Sequence, residues 1–198
     1  AYSVAASPGL VQLIYSNSLV MWGCIIAELV MVWKISNSVA KENRSLATTT
    51  LMFIIFSALN GVTLSSIFVL FAPAAIVKTF VITAGTFGVM AAYGYFTSRD
   101  LTKIGGLLFM ALIGVIIASV VNMFLHSSGL DLVVSIIGVL VFVGLTAWDS
   151  QQIKMSLAMA PDLGETSQKL ALTGALSLYL DFVNLFLYLL RFFGGSRD

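Results

Sequence analysis

Six long apolar runs constrain this chain more than any other feature of its sequence. Each is long enough to span a bilayer, because about 20 helical residues cross roughly 30 Å of hydrocarbon. The runs lack the alternation of barrel strands and are too long for them. The sequence predicts an all-α integral membrane protein with six transmembrane helices in one domain over residues 1–198. The predicted spans lie near residues 17–35, 49–72, 75–97, 104–125, 130–153 and 168–193.

Composition supports this fold class and excludes others. Hydrophobic residues make up 59% of the chain and charged residues only 10%, which is incompatible with a water-soluble domain of 198 residues. The net charge of +1 and the lack of a basic cluster argue against nucleic-acid binding. The single cysteine, Cys24, and single histidine, His126, supply neither an internal disulfide nor a zinc site. We expect no cofactor, and the lipid bilayer is the first expected partner.

The distribution of Lys and Arg predicts which side faces the cytoplasm. Seven of the ten Lys and Arg residues lie in the segments that follow the first, third and fifth spans. Basic residues accumulate in cytoplasmic loops, so these segments are predicted to be cytoplasmic. Asp149 then lies near the cytoplasmic end of its span.

Two aspartates in the last two spans are the main candidates for function. Asp181 lies in the run 171–193, where Arg191 is the other charged residue, and Asp149 closes the preceding run. A carboxylate at such a depth costs about 2.5 to 3.5 kcal/mol and by default marks a functional site. If the two approach, both are not easily ionised together, which predicts a pH switch. The alternative is that each aspartate only hydrogen-bonds a polar side chain on another helix.

Polar residues form a stripe along the last helix. The spacing of three or four residues places them on one face, which must turn toward protein or water. We therefore expect this helix near the centre of the bundle. The stripe consists of Gly174, Ser177, Asp181, Asn184, Tyr188 and Arg191.

Other polar residues inside the spans suggest supporting roles. Glu28 is the only acid in the first span, and an ion pair with Arg191 would lessen the desolvation of both, although Arg191 also has the length to snorkel to the surface. Asn60, Asn122 and Asn184 either line a cation pathway with Ser177 or tie helices together. Tying helices is the interpretation that we favour for the three amides.

Four stretches of the chain resemble the transmembrane Bax inhibitor motif family, also called the Bax inhibitor-1 family, and its bacterial members in particular. They are SALNGVTLSSIF (57–68), TFVITAGTFGVMAAYGYFTSRDLTKIGGLLFMALIG (79–114), VGLTAWDSQQIK (143–154) and ALSLYLDFVNLFLYLLRFFG (175–194). The last stretch is the most specific. The resemblance implies a bacterial inner membrane location and seven helices, with a central C-terminal helix wrapped by the others. The chain starts at Ala1, so we expect that the first helix of this pattern is missing.

The resemblance also implies a function and roles for particular residues. It implies a pH-sensitive calcium leak governed by a di-aspartyl pair that matches Asp149 and Asp181, which would bind calcium transiently. Glu28 and Arg191 match positions where bacterial relatives carry a stabilising acid and base. A base near the cytoplasmic mouth latches the first aspartate in some relatives, and Lys41 or Arg44 is the candidate here.

The leading hypothesis is therefore a passive cation pathway, for calcium, gated by protons at Asp149 and Asp181, and not an enzyme. One alternative is a regulator or scaffold that binds membrane proteases or other membrane proteins. A remote alternative is an intramembrane aspartyl protease, because paired aspartates can activate water. No G-x-G-D sequence occurs in the chain, which disfavours proteolysis.

Overall fold

The computed structural model describes residues 1–7, 9, 17–38, 45–160 and 164–193. Within these ranges the regular secondary structure is helical, and eight helices follow one another along the chain. They are α1 (Tyr2–Ala5), α2 (Ser18–Ser36), α3 (Leu46–Thr63), α4 (Ser66–Leu70), α5 (Pro73–Phe96), α6 (Thr102–Leu125), α7 (Ser128–Ala158) and α8 (Glu165–Phe193).

Six stretches of the described chain are long and apolar enough to cross a membrane, as predicted. They are α2, α3 together with α4, α5, α6, α7 and α8. Many large apolar side chains on them are exposed, among them Leu19, Phe96, Phe124 and Leu140, as expected for surfaces that lipid covers. The all-α membrane fold is confirmed, whereas the central position of the last helix and the single domain remain predictions.

The second span is not one continuous helix. It breaks at Leu64 and Ser65, between α3 and α4. At the break, the hydroxyl of Ser65 donates to the Val62 carbonyl at 2.6 Å, and that of Ser66 donates to the Thr63 carbonyl at 3.0 Å. Hydroxyl groups that bond nearby carbonyls compete with the helical ladder, so this Ser-rich segment can interrupt the helix while its carbonyls remain satisfied.

Polar residues between the apolar runs set several helix ends. The side chains of Asn17, Ser45 and Ser127 accept from backbone N–H groups in the first turns of α2, α3 and α7. Pro73 is the first residue of α5, a position where a missing N–H has no cost. His126 ends α6 with φ 51°, in the left-handed region, and is exposed as expected for a loop residue.

The chain packs as two compact units. Of the described residues, those within 1–73 and 160–176 belong to the first unit and those within 74–159 and 177–193 to the second, so α8 contributes to both. In the first unit α2 packs against α3, and in the second α6 packs against α7. The core of the second unit lies between α6, α7 and the C-terminal part of α8. Its buried side chains are Val115, Val134, Val141, Phe142, Leu145, Leu185 and Leu189.

Candidate functional site: a buried carboxyl pair

Asp149 of α7 and Asp181 of α8 form a carboxyl pair inside the second unit. The two side chains lie within hydrogen-bonding reach of each other. Asp181 is only 4% exposed, and Asp149 is half-buried. The Oδ2 atom of Asp181 is closed to solvent and has no hydrogen-bond partner in the described part of the protein. The structure thus brings the two predicted aspartates together, although their role as a switch remains a prediction.

Asp149 lies in the interior of α7, because this helix is longer than the predicted span. The predicted span ended near residue 153, but α7 continues to Ala158, and α8 begins at Glu165 rather than near 168. Asp149 therefore lies well inside α7, more than two turns before its end. Both aspartates project from regular helix, which positions side chains more firmly than a loop does.

Polar contacts just after Asp149 hold this part of α7 in place. The Ser150 hydroxyl donates to the Ala91 carbonyl of α5 at 2.8 Å. Gln151, which is 4% exposed, donates to the Arg99 carbonyl at 2.8 Å and accepts from the Leu101 N–H at 2.9 Å. These bonds allow polar residues to continue the helix beyond the apolar run, because they attach α7 to α5 and to the segment between α5 and α6.

The surroundings of Asp181 on α8 are mainly apolar. The ring of Phe182 lies edge-on to Phe80 and Phe87 of α5, with ring centroids 5.5 and 5.4 Å apart. Asn184 turns its amide back to the Leu180 carbonyl of its own helix at 2.8 Å. Ser177, one turn before Asp181, is half-buried. Of the predicted stripe, Asp181 is thus the ionisable group that the packing encloses.

This arrangement restricts the proton occupancy of the pair. A hydrogen bond between two carboxyl groups requires a proton on one of them, since ionised carboxylates only accept. In a poorly hydrated site, two anions so close together repel strongly. A hydrogen bond between the two carboxyl groups would therefore hold one proton, which is the condition that the predicted switch requires.

Glu28 belongs to a separate polar cluster in the first unit. The Asn60 amide donates to one Glu28 carboxylate oxygen at 3.1 Å, and the Thr63 hydroxyl donates to the other. Asn60 thus ties α2 to α3, which is the role that we favoured for the amides. Sequence reasoning did not identify Thr63 as a partner, although Thr63 lies one turn after Asn60 on the same face.

Arg191 has its described contacts within the second unit. Its guanidinium lies 3.7 Å from Asp131 at the start of α7, and 5.6 Å above the ring of Tyr188. Both members of the Arg191–Asp131 pair are about half exposed. The predicted Glu28–Arg191 ion pair would join the two units, and it remains a prediction.

The remaining predicted residues either bond nearby backbone groups or lie outside the described residues. The Asn122 side chain accepts from the Ser127 N–H at 3.0 Å and so closes the turn after α6. The two latch candidates, Lys41 and Arg44, lie outside the described residues. Within the described ranges, no group of three or more His, Cys, Asp or Glu side chains forms a metal cage. Transient calcium at the pair remains a prediction.

Comparisons with known proteins place this architecture among bacterial membrane proteins. The model of the family described as inhibitor of apoptosis-promoting Bax1 matches residues 1–198. The inner membrane protein YbhL of Escherichia coli K12 is 48% identical over 199 residues, covering 100% of this chain and 84% of the relative. An uncharacterized protein of Borreliella burgdorferi is 48% identical with the same coverage, and one of Deinococcus radiodurans is 38% identical over 100% of this chain and 83% of the relative. Together with the six apolar helices, these relatives confirm the predicted inner membrane localisation.

Proposed function

Because the chain belongs to the Bax inhibitor-1-like family of membrane proteins, we propose that it is a pH-sensitive cation pathway gated by a proton shared between Asp149 and Asp181. Calcium is the proposed permeant ion. One observation carries the proposal: two carboxyl groups on adjacent helices lie within hydrogen-bonding reach, and one of them is almost fully buried. A carboxyl group at membrane depth is costly, and such groups mark ion and proton pathways.

The shared proton links two helices through a hydrogen bond. While one proton is shared, the hydrogen-bonded carboxyl groups hold α7 and α8 together at this level. Loss of the proton leaves two facing anions, whose repulsion in a partly hydrated site is on the order of a few kcal/mol. Such an energy is enough to shift an equilibrium between two helix arrangements by a factor of about 100.

After the proton is lost, the carboxyl pair supplies the ligands that a hard cation prefers. Calcium binds six to eight oxygen atoms, and carboxylates and amide carbonyls are typical donors. Two ionised aspartates supply up to four oxygen atoms, and Asn184 lies one turn further along α8. Protons and calcium then compete for the same carboxylates, which couples cation passage to pH.

Flux measurements on reconstituted protein test the proposal. Proteoliposomes loaded with a calcium-sensitive dye are compared over roughly pH 5 to 8 for wild type, Asp149→Asn and Asp181→Asn. We expect flux that depends on pH in wild type and is independent of pH in both variants. Asp131→Asn is the matched control, because it removes an α7 aspartate outside the carboxyl pair, and it should retain the wild-type pH profile.

Other outcomes favour the two alternative functions. Wild-type flux no greater than that of empty liposomes overturns the cation pathway, and co-purification of a membrane protease would then favour a regulator or scaffold. Cleavage of a peptide substrate by wild type, abolished in both Asn variants, would instead indicate an aspartyl protease.

A further inference from the structure

Gly105 of α6 is in close contact with the ring of Trp148. A Cβ atom added at Gly105 would lie 2.3 Å from Cε2 and 2.4 Å from Nε1 of that ring. The indole therefore packs directly on the α6 backbone, where any side chain would overlap it. The Trp148 N–H is buried and has no hydrogen-bond partner among the described residues, so packing alone orients the ring. Trp148 directly precedes Asp149 in α7.

A second glycine, on α5, is in close contact with the same turn of α7. A Cβ atom at Gly94 of α5 would lie 1.9 Å from the backbone oxygen of Ala147. Ser150 is bonded to α5 through its hydroxyl, as described above. Residues on both sides of Asp149 thus touch α5 or α6, which leaves the backbone at Asp149 little room to move.

We infer that Gly105 is a positioning residue that acts through Trp148 to set the geometry of the Asp149–Asp181 pair, and with it the pH at which the pair loses its proton. The inference rests on the proton sharing in the proposed function. Each aspartate has the other as its electrostatic partner within the described chain. Nine other charged residues lie on α5 to α8 and on the segment between α5 and α6. They are Lys78, Arg99, Asp100, Lys103, Asp131, Lys154, Glu165, Lys169 and Arg191.

The sequence offers a matched control at the neighbouring position. Nothing lies within 4 Å of a Cβ atom added at Gly106. Gly105→Ala and Gly106→Ala therefore make the same chemical change on the same helix, but only the first displaces Trp148. We expect Gly105→Ala to shift the titration midpoint of the carboxyl pair by about half a pH unit or more. Gly106→Ala should keep the wild-type midpoint.

The titration is measured without reference to transport. Infrared spectroscopy of the full chain in detergent follows the carbonyl stretch of protonated carboxylic acid as pH is changed. The contribution of the pair is the part of this band that disappears in Asp149→Asn and in Asp181→Asn. Calcium flux in proteoliposomes is measured on the same proteins.

Two further variants separate positioning from general packing damage. A Cβ atom at Gly138 would lie 2.8 Å from the Tyr188 ring, so Gly138→Ala disturbs another close glycine–aromatic contact of α7, about three turns before Asp149. It should lower thermal stability and leave the titration midpoint in place. Trp148→Phe changes the other residue of the Gly105–Trp148 contact and should also shift the midpoint. It replaces Gly105→Ala in the test if Gly105→Ala does not fold. The double variant Gly105→Ala with Trp148→Phe should return the midpoint toward wild type, because the smaller ring leaves room for the methyl group.

The outcomes distinguish this inference from the proposed function. A wild-type midpoint in folded Gly105→Ala, or in folded Trp148→Phe if the first does not fold, overturns the inference whatever the flux. It is also overturned if wild type has no titrating band that depends on both aspartates. A shifted midpoint in protein that passes no calcium supports the positioning role and rejects the cation pathway.

Discussion

The side-chain amide of Asn60 donates a hydrogen bond to the Glu28 carboxylate, 3.1 Å away, and so connects α3 to α2. Thr63 donates to the second oxygen of the same carboxylate. Glu28 is thus a half-buried acceptor shared by two donors of the neighbouring helix. This contact belongs to the first unit and is independent of the carboxyl pair.

Glu28→Ala is expected to destabilise the protein by about 1 to 3 kcal/mol, because it removes the acceptor that two donors share. Glu28→Gln retains one acceptor oxygen and should cost less. Leu29→Ala is the control, since Leu29 is next in sequence and 65% exposed. Thermal unfolding in detergent measures all three, and a Glu28→Ala protein as stable as the control would contradict the prediction.

The Arg191–Asp131 pair is expected to contribute little. Both side chains are about half exposed and 3.7 Å apart, so a double-mutant cycle with Asp131→Asn and Arg191→Gln should give a coupling energy below about 1 kcal/mol that falls with added salt.

The predicted Glu28–Arg191 ion pair is tested by charge reversal. Charge reversal at both of its positions would restore folding after either single reversal had damaged it, and an absence of rescue would count against that pair.

The number and type of the helices could be predicted because the requirement for backbone hydrogen bonding in lipid leaves few solutions. The helix ends were less predictable. The predicted span ends near residue 153, because the apolar run gives way to polar residues there. The helix nevertheless continues to Ala158, and Gln151 stabilises this part of α7 through bonds to a segment about 50 positions earlier in the chain. The break at Leu64 and Ser65 was also not predicted, because it lies within a predominantly apolar run that predicts one continuous span.

The candidate site was partly predictable for similar reasons. Asp149 and Asp181 stood out because carboxylates are rare within apolar spans. The glycines that contact the turn of α7 around Asp149 did not stand out, since Gly94 and Gly105 resemble the other helix glycines in sequence. What distinguishes them is the backbone or ring that faces each one, while Gly88 and Gly106 face open space. A tertiary contact of this kind leaves no local pattern.

Gln151→Leu is expected to destabilise the second unit. Gln151 bonds the Arg99 carbonyl and the Leu101 N–H in a buried position, and a buried backbone group left unpaired costs about 1 to 3 kcal/mol. The same substitution at Gln152, which is half-buried, should cost less. Hydrogen exchange at the Leu101 amide gives a local measurement. Equal protection of this amide in wild type and Gln151→Leu would contradict the prediction.

Asp100 is expected to stabilise the start of α6 in a pH-dependent way. Hydrogen bonds from the hydroxyl and the N–H of Thr102 lower the pKa of Asp100 from its ordinary value of 3.8. Since the pKa is lower in the folded state, the stabilisation is present above 3.8 and is lost as pH falls through the folded value. Asp100→Asn should therefore unfold at a lower temperature than wild type at about pH 7, and the difference should shrink near pH 3. Thr102→Val should reduce the same difference, and a gap that is constant with pH would contradict the assignment.

Gly94→Ala is expected to be the more damaging of two alanine substitutions on α5. At Gly94 the new Cβ atom would lie 1.9 Å from the Ala147 backbone oxygen, and backbone cannot move aside as a flexible side chain can. Overpacking of this kind costs about 1 to 3 kcal/mol. At Gly88 nothing lies within 4 Å of the added atom, so Gly88→Ala should be neutral or should stabilise the helix by up to about 1 kcal/mol. Thermal unfolding of both variants in detergent tests this order, and the reverse order would show that α5 and α7 do not pack as closely at this point.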